Sequence, residues 1–158
     1  MKTKSIIRAV IPALILLAAA SPLSAEPSAE DKAFYNEKIM PAVQRNDWAA
    51  VHKLAGQLAA QTKDMQAQIL MRQLELQAVT MQGIQALQQG DGEKARRFFQ
   101  QAASQGNGDA LNMLGQMYIS GLGNTPINAQ YGISLVQQAA RVGCRAAQDY
   151  LRQRRIPW

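Results

Sequence analysis

The sequence predicts an all-α fold built as a short solenoid of antiparallel helical hairpins. Three observations support this prediction. Small and apolar residues recur after 37 residues, a period typical of stacked helical hairpins. Apolar residues elsewhere follow helical spacing, and short turns rich in Gly, Asn and Asp separate the segments. The recurring pairs are Ala102 and Ala139, Gly106 and Gly143, Ala110 and Ala147, and Leu114 and Leu151.

Residues 1–25 are predicted to be a cleaved export signal. The first eight residues carry three positive charges, residues 11–20 form an apolar run that is short for a membrane span, and Ala25 supplies the small residue expected before cleavage. An uncleaved N-terminal anchor is the alternative. The segment predicts a periplasmic protein, or one secreted further, with a single domain over residues 26–158.

The charge of the mature chain does not predict a nucleic-acid partner. The sequence carries seventeen basic and eleven acidic side chains. Lys2, Lys4 and Arg8 leave with the signal, so fourteen basic side chains face eleven acidic ones and the net charge is +3. Such a value is ordinary for a small domain. The positive charge is concentrated in residues 110–158, where five arginines accompany the single acidic residue Asp149.

The chain is predicted to divide into three helical hairpins and a closing segment. Residues 26–62 are interpreted as a degenerate hairpin, 63–106 and 107–143 as repeats, and 144–158 as a capping helix with a basic tail. Pro41 lies within the first predicted helix, where its missing amide hydrogen predicts a kink or an early end. The predicted helices are 33–45, 48–60, 65–89, 93–105, 110–120, 129–142 and 144–153. Five methionines are assigned to the core: Met65, Met71, Met81, Met113 and Met117.

Within residues 78–153, small, apolar and aromatic residues stand in a fixed order. They are Ala110, Leu114, Gly115, Tyr118, Gly121 and Gly123, then Ala139, Ala140, Gly143, Ala147 and Leu151. This stretch resembles the Sel1-like repeat family, a relative of the tetratricopeptide repeats. The resemblance is firmest over residues 94–151, and the preceding unit is more like a plain tetratricopeptide repeat. The resemblance implies a right-handed solenoid of about two and a half repeats, in which the first helix of each repeat lines a concave face that binds another protein.

The sequence contains no group of residues that predicts catalysis, a metal or a cofactor. His52 is the only histidine and Cys144 the only cysteine, and neither has partners at metal-ligand spacing. A lone cysteine forms no internal disulfide, so Cys144 is interpreted as a buried small residue, with a reactive thiol as the alternative. The chain is therefore predicted not to be an enzyme and to take no small-molecule substrate. A hydrolase is the remaining alternative.

Two surfaces are candidates for binding a partner protein. By the family resemblance, the concave face presents Thr80, Asp109, Asn112 and Gln116. The second candidate is the basic end of the chain, which either docks on an acidic protein surface or an anionic lipid, or is a frayed and solvated helix end. Its residues are Arg152, Arg154, Arg155 and Trp158.

The predicted function is a non-catalytic periplasmic protein–protein interaction module. Small exported proteins with similar repeats imply an alternative, an immunity protein that neutralises a periplasm-acting secreted toxin. An adaptor for envelope assembly or stress is a further role of the same class. The sequence does not identify the partner.

Overall fold

Seven helices follow one another along residues 28–158, the part of the chain that the computed structural model describes, and no strand occurs among them. The predicted all-α fold of stacked helical hairpins is confirmed. The predicted export signal lies outside the described residues. The helices are α1 (Ala29–Phe34, a π turn at Tyr35–Ile39, and Met40–Gln44), α2 (Trp48–Gln61), α3 (Met65–Gln88), α4 (Gly92–Ser104), α5 (Gly108–Ser120), α6 (Ala129–Arg141) and α7 (Arg145–Gln153).

Helix α1 starts earlier than predicted and continues past its proline. It begins at Ala29 because the Ser28 hydroxyl accepts the N–H of Asp31 at 3.1 Å and caps the first turn. Pro41 does not end the helix. One turn earlier the helix widens, so that the N–H of Met40 donates to the carbonyl of Tyr35. A π turn of this kind inserts an extra residue, which gives the proline ring room beside the preceding turn.

Five of the seven helices end in one type of turn. A residue with positive φ follows the last helical turn, and the next N–H donates to the carbonyl five residues back, which is the Schellman arrangement. In three of these turns that next residue, an Asp or Asn, also caps the following helix. Because so few residues join the helices, neighbouring helices pack antiparallel. The positive-φ residues are Asn46 (57°), Gly90 (81°), Gly106 (81°), Gly143 (91°) and Arg155 (56°).

Helix α3 belongs to two hydrophobic clusters at once. Leu74 and Met81 pack with residues of α1 and α2, among them Trp48. Val79 and Ala86 pack instead with residues of α4 to α7 around the fully buried Phe99. The first hairpin and the repeats are therefore joined through a shared helix. At the other end of the stack, α7 packs on α6 and also touches α5. None of the described helices is both long and apolar enough to cross a membrane.

Candidate protein-binding surfaces

Three of the residues predicted for the concave face share one side of α5. Asp109, Asn112 and Gln116 are spaced three and four residues apart, so their side chains lie one above the other along the helix. Asp109 is exposed, whereas Asn112 and Gln116 are half-buried. The Oδ1 atom of Asn112 is enclosed and has no hydrogen-bond partner within residues 28–158. We call this row of polar side chains the α5 face.

Thr80 does not belong to this surface. Its side chain is 1% exposed, and its hydroxyl donates to the carbonyl of Leu76 at 3.0 Å within the same helix. Thr80 therefore presents no polar group to a partner. The family resemblance placed this polar residue on the concave face, but an intrahelical hydrogen bond satisfies its hydroxyl inside the core.

Cys144 is a buried residue at the boundary between the second hairpin and α7, as predicted. It follows the positive-φ residue Gly143 and occupies the N-cap position of α7. Burial raises the pKa of the Cys144 thiol, and the neighbouring Asp109 carboxylate raises it further. The protonated thiol donates to Oδ1 of Asp109 at 3.4 Å. Because the thiolate is the reactive form of cysteine, this environment disfavours the reactive form of Cys144. The contact with Asp109 joins α5 to α7.

His52 lies at the outer side of the α2–α3 hairpin, beside Glu75. Its Nδ1 atom is 3.8 Å from Oε1 of Glu75, and the other carboxylate oxygen accepts from Arg72 at 2.9 Å. Nδ1 is enclosed and has no hydrogen-bond partner among the described residues. Within residues 28–158 no three His, Cys, Asp or Glu side chains come together as a group that could hold a metal ion.

The structure shows a groove of mixed polarity that the sequence did not predict. Its volume is about 530 Å³, and it lies between the end of α2 and the start of α3. It is lined by Ala59, Ala60, Ile69 and Leu76 together with the polar residues Gln68, Arg72 and Gln73. Ile69 is 46% exposed, and Met65, which was assigned to the core, is 71% exposed. That assignment was wrong because α4 has 13 residues and α3 has 24. At 1.5 Å per residue, α4 is too short to cover the start of α3.

The basic end of the chain is an ordered turn and not a frayed helix. Arg152 pairs with Asp149 at 2.7 Å, and the guanidinium of Arg154 lies 3.8 Å from the centre of the Tyr150 ring. Arg155 adopts φ 56°, and the next residues fold back onto the protein. The side chain of Ile156 packs against the core, its N–H donates to the carbonyl of Leu151, and Gln137 donates to the carbonyl of Pro157 at 2.6 Å. Trp158 follows with 43% of its surface exposed. We call residues 152–158 the basic turn.

Hairpins closed by repeated Schellman turns define this chain as a helical-repeat protein. The family model of the Sel1 repeat matches residues 81–107 and 108–144, so the chain carries two Sel1 repeats. The second match spans α5 and α6, and the first spans the end of α3 together with α4. No curated protein and no solved structure matches the chain. Sel1 repeats commonly serve as protein–protein interaction modules.

Proposed function

We propose that this protein is an exported, non-catalytic scaffold that binds another protein through the α5 face. The observation that carries the proposal is the row of Asp109, Asn112 and Gln116 on the first helix of the second Sel1 repeat. The enclosed Oδ1 atom of Asn112 lacks a partner among the described residues, and buried polar atoms of this kind are normally hydrogen-bonded. A rotation of the half-buried Asn112 side chain toward the surface would let this oxygen accept from a backbone N–H or a polar side chain of a partner.

The rigidity of α5 supports the same proposal. The helix is capped by Asn107, whose side chain accepts the N–H of Ala110 at 2.8 Å, and it ends at Gly121 in the left-handed conformation. Its other sides are packed against α4 and α6. A surface that is already ordered loses little conformational entropy when it binds, so a modest set of polar contacts can give useful affinity.

Site-specific photo-crosslinking in the intact, exported protein tests this function. A benzophenone amino acid replaces Gln116 in one variant and Gln100, an exposed residue of α4, in a matched control. We expect a discrete protein adduct from position 116 and none from position 100. An adduct of equal yield at both positions, or none at position 116, would rule out the α5 face as the binding surface.

Two measurements on the same preparation test the proposed export of the protein and its role toward its partner. N-terminal sequencing should find Glu26 as the first residue of protein from the periplasmic fraction, whereas Met1 in a membrane pellet would contradict export with cleavage. The identity of the crosslinked protein then separates the two roles considered above. A toxin whose activity this chain abolishes would define an immunity protein, and an envelope component would define an adaptor.

A further inference from the structure

The basic turn differs from the other four Schellman turns in the residue at the positive-φ site. Asn46, Gly90, Gly106 and Gly143 occupy the positive-φ site of the Schellman turn in the earlier helices, and Arg155 occupies it after α7. Glycine adopts this conformation freely, and asparagine tolerates it better than most other residues. A long cationic side chain does so only with strain. Retaining a strained residue where glycine fits without cost indicates that the side chain itself has a use.

The guanidinium groups of this turn are available to an anion. Arg155 is exposed and forms no ion pair with any residue of 28–158. Arg154 is exposed too, and its guanidinium rests on the Tyr150 ring, which orients the group without neutralising it. Arg152 pairs with Asp149. Two of the three arginines therefore keep their N–H donors free, and the planar guanidinium fits a carboxylate through two parallel hydrogen bonds.

An aromatic residue, Trp158, follows these cations in the chain, and the backbone that precedes it is held in place. The hydrogen bond from Gln137 to the Pro157 carbonyl and the packing of Ile156 hold the backbone on both sides of residue 157. Trp158 is thereby presented with 43% of its surface exposed. Exposed tryptophan and arginine are the residue types that most often dominate the binding energy of protein interfaces.

We propose that the basic turn is a second docking site, and that it binds an acidic segment of a partner protein. Carboxylates of that segment pair with Arg154 and Arg155, and an adjacent apolar side chain packs on Trp158. Charge complementarity argues for this occupant, because residues 110–158 contain five arginines and only Asp149 as an acid. The site does not use the α5 face, so it can fail or succeed independently of the function proposed above.

The test uses the purified mature chain and a synthetic peptide with four glutamates and one leucine as the probe. Binding is followed through the indole ¹H–¹⁵N signals of the two tryptophans. Trp158 reports on the basic turn, and the buried Trp48 is the internal control. We expect the peptide to shift the Trp158 signal and leave the Trp48 signal in place. A peptide with glutamine in place of every glutamate should not bind, and raised salt should weaken binding because the contact is electrostatic.

Three variants separate charge from folding. Arg155→Gly removes the cation and relieves the positive-φ strain, Arg154→Gln removes the second cation, and Arg97→Gln removes an exposed arginine of α4 as the matched control. We expect each of the first two to weaken peptide binding by about tenfold, with no change for Arg97→Gln. Equal binding by Arg155→Gly and the unaltered chain would overturn the proposal. So would a Trp158 signal that responds to anionic phosphatidylglycerol vesicles and not to the peptide, because that result would assign the turn to a membrane surface.

Discussion

The backbones of Gly115 in α5 and Gly132 in α6 lie against each other without an intervening side chain. A Cβ atom added to Gly115 would lie 2.8 Å from the carbonyl oxygen of Gly132, and one added to Gly132 would lie 2.7 Å from the carbonyl oxygen of Gly115. Both positions are buried. The two helices of the second Sel1 repeat therefore pack as closely as they do because both residues lack a side chain.

Replacing Gly115 with leucine should destabilise the fold strongly. The new side chain would meet Val136 and the backbone of α6 at distances that no rotamer avoids, and overpacking of this kind costs about 1–3 kcal/mol or more. Gly56→Ala is the matched control, since a Cβ there meets only the flexible end of Glu75 and alanine favours a helix by up to about 1 kcal/mol. Urea unfolding of both variants measures the difference. An unchanged midpoint for Gly115→Leu would show that the two helices can separate at no cost.

Thr125→Val should leave the free energy of unfolding unchanged or raise it. The side chain is 5% exposed, and its hydroxyl has no hydrogen-bond partner within residues 28–158. Valine has the same shape and removes the cost of an unsatisfied buried hydroxyl, which is about 1–3 kcal/mol. Thr80→Val is the comparison, because that hydroxyl is hydrogen-bonded to Leu76 and its loss should cost about 0.5–1.5 kcal/mol. Thermal unfolding should therefore find Thr80→Val less stable than the unaltered chain and Thr125→Val no less stable than it. A clear loss of stability for Thr125→Val would reveal a partner for its hydroxyl.

The positive φ of Arg155 leads to a prediction about the stability of the fold, separate from the proposed role of this arginine in binding. The left-handed conformation costs an L-residue about 1–2 kcal/mol, and a β-branched side chain tolerates it least. We therefore expect stability to decrease in the order glycine, arginine, valine at position 155. Circular dichroism melts of Arg155→Gly and Arg155→Val check this order. If the Arg155→Val variant is as stable as the unaltered chain, the turn after α7 does not hold residue 155 in the left-handed conformation in solution.

Cys144 should be protected from thiol reagents and should make stability depend on alkaline pH. Burial raises the pKa of its thiol above the ordinary value of 9.0, so the folded state holds this proton more tightly than the unfolded state. The stabilising contribution is complete below pH 9, begins to fall as the unfolded thiol titrates, and is fully lost once the folded thiol also ionises. A Cys144→Ala variant should lack this alkaline component of the unfolding free energy. Labelling at pH 8 should be slow in buffer and fast in urea, and equally fast labelling in both would contradict the buried position.

Much of the fold could be predicted because its determinants are local. The turn residues at Gly90, Gly106 and Gly143, together with the caps at Asp91 and Asn107, set most helix ends to within a few residues. One error arose where a neighbouring helix decided the outcome, and the other arose within a single helix. Met65 is apolar but exposed because α4 ends before it can cover the start of α3, and its assignment to the core did not compare the predicted lengths of these two helices. Thr80 is polar but buried because its own helix supplies a hydrogen-bond acceptor.

The basic turn was the least predictable part of the candidate site. Arginines at a helix end are consistent with a frayed terminus, and composition alone did not distinguish the alternatives. The decisive contacts are the hydrogen bond from Gln137 to Pro157 and the stacking of Arg154 on Tyr150. The first joins residues 20 positions apart, so a local sequence pattern could not reveal it.

The sharing of α3 between two hydrophobic clusters has a consequence for how the molecule unfolds. Stacked repeats can lose structure one unit at a time, because each unit contacts only its neighbours. Here Leu74 and Met81 stabilise one cluster while Val79 and Ala86, on the same helix, stabilise the other. Unfolding of the first hairpin would expose one side of α3 and weaken the packing of α3 against the repeats. The chain should therefore unfold in one cooperative transition, and the slowest amide hydrogen exchange should lie in the second half of α3.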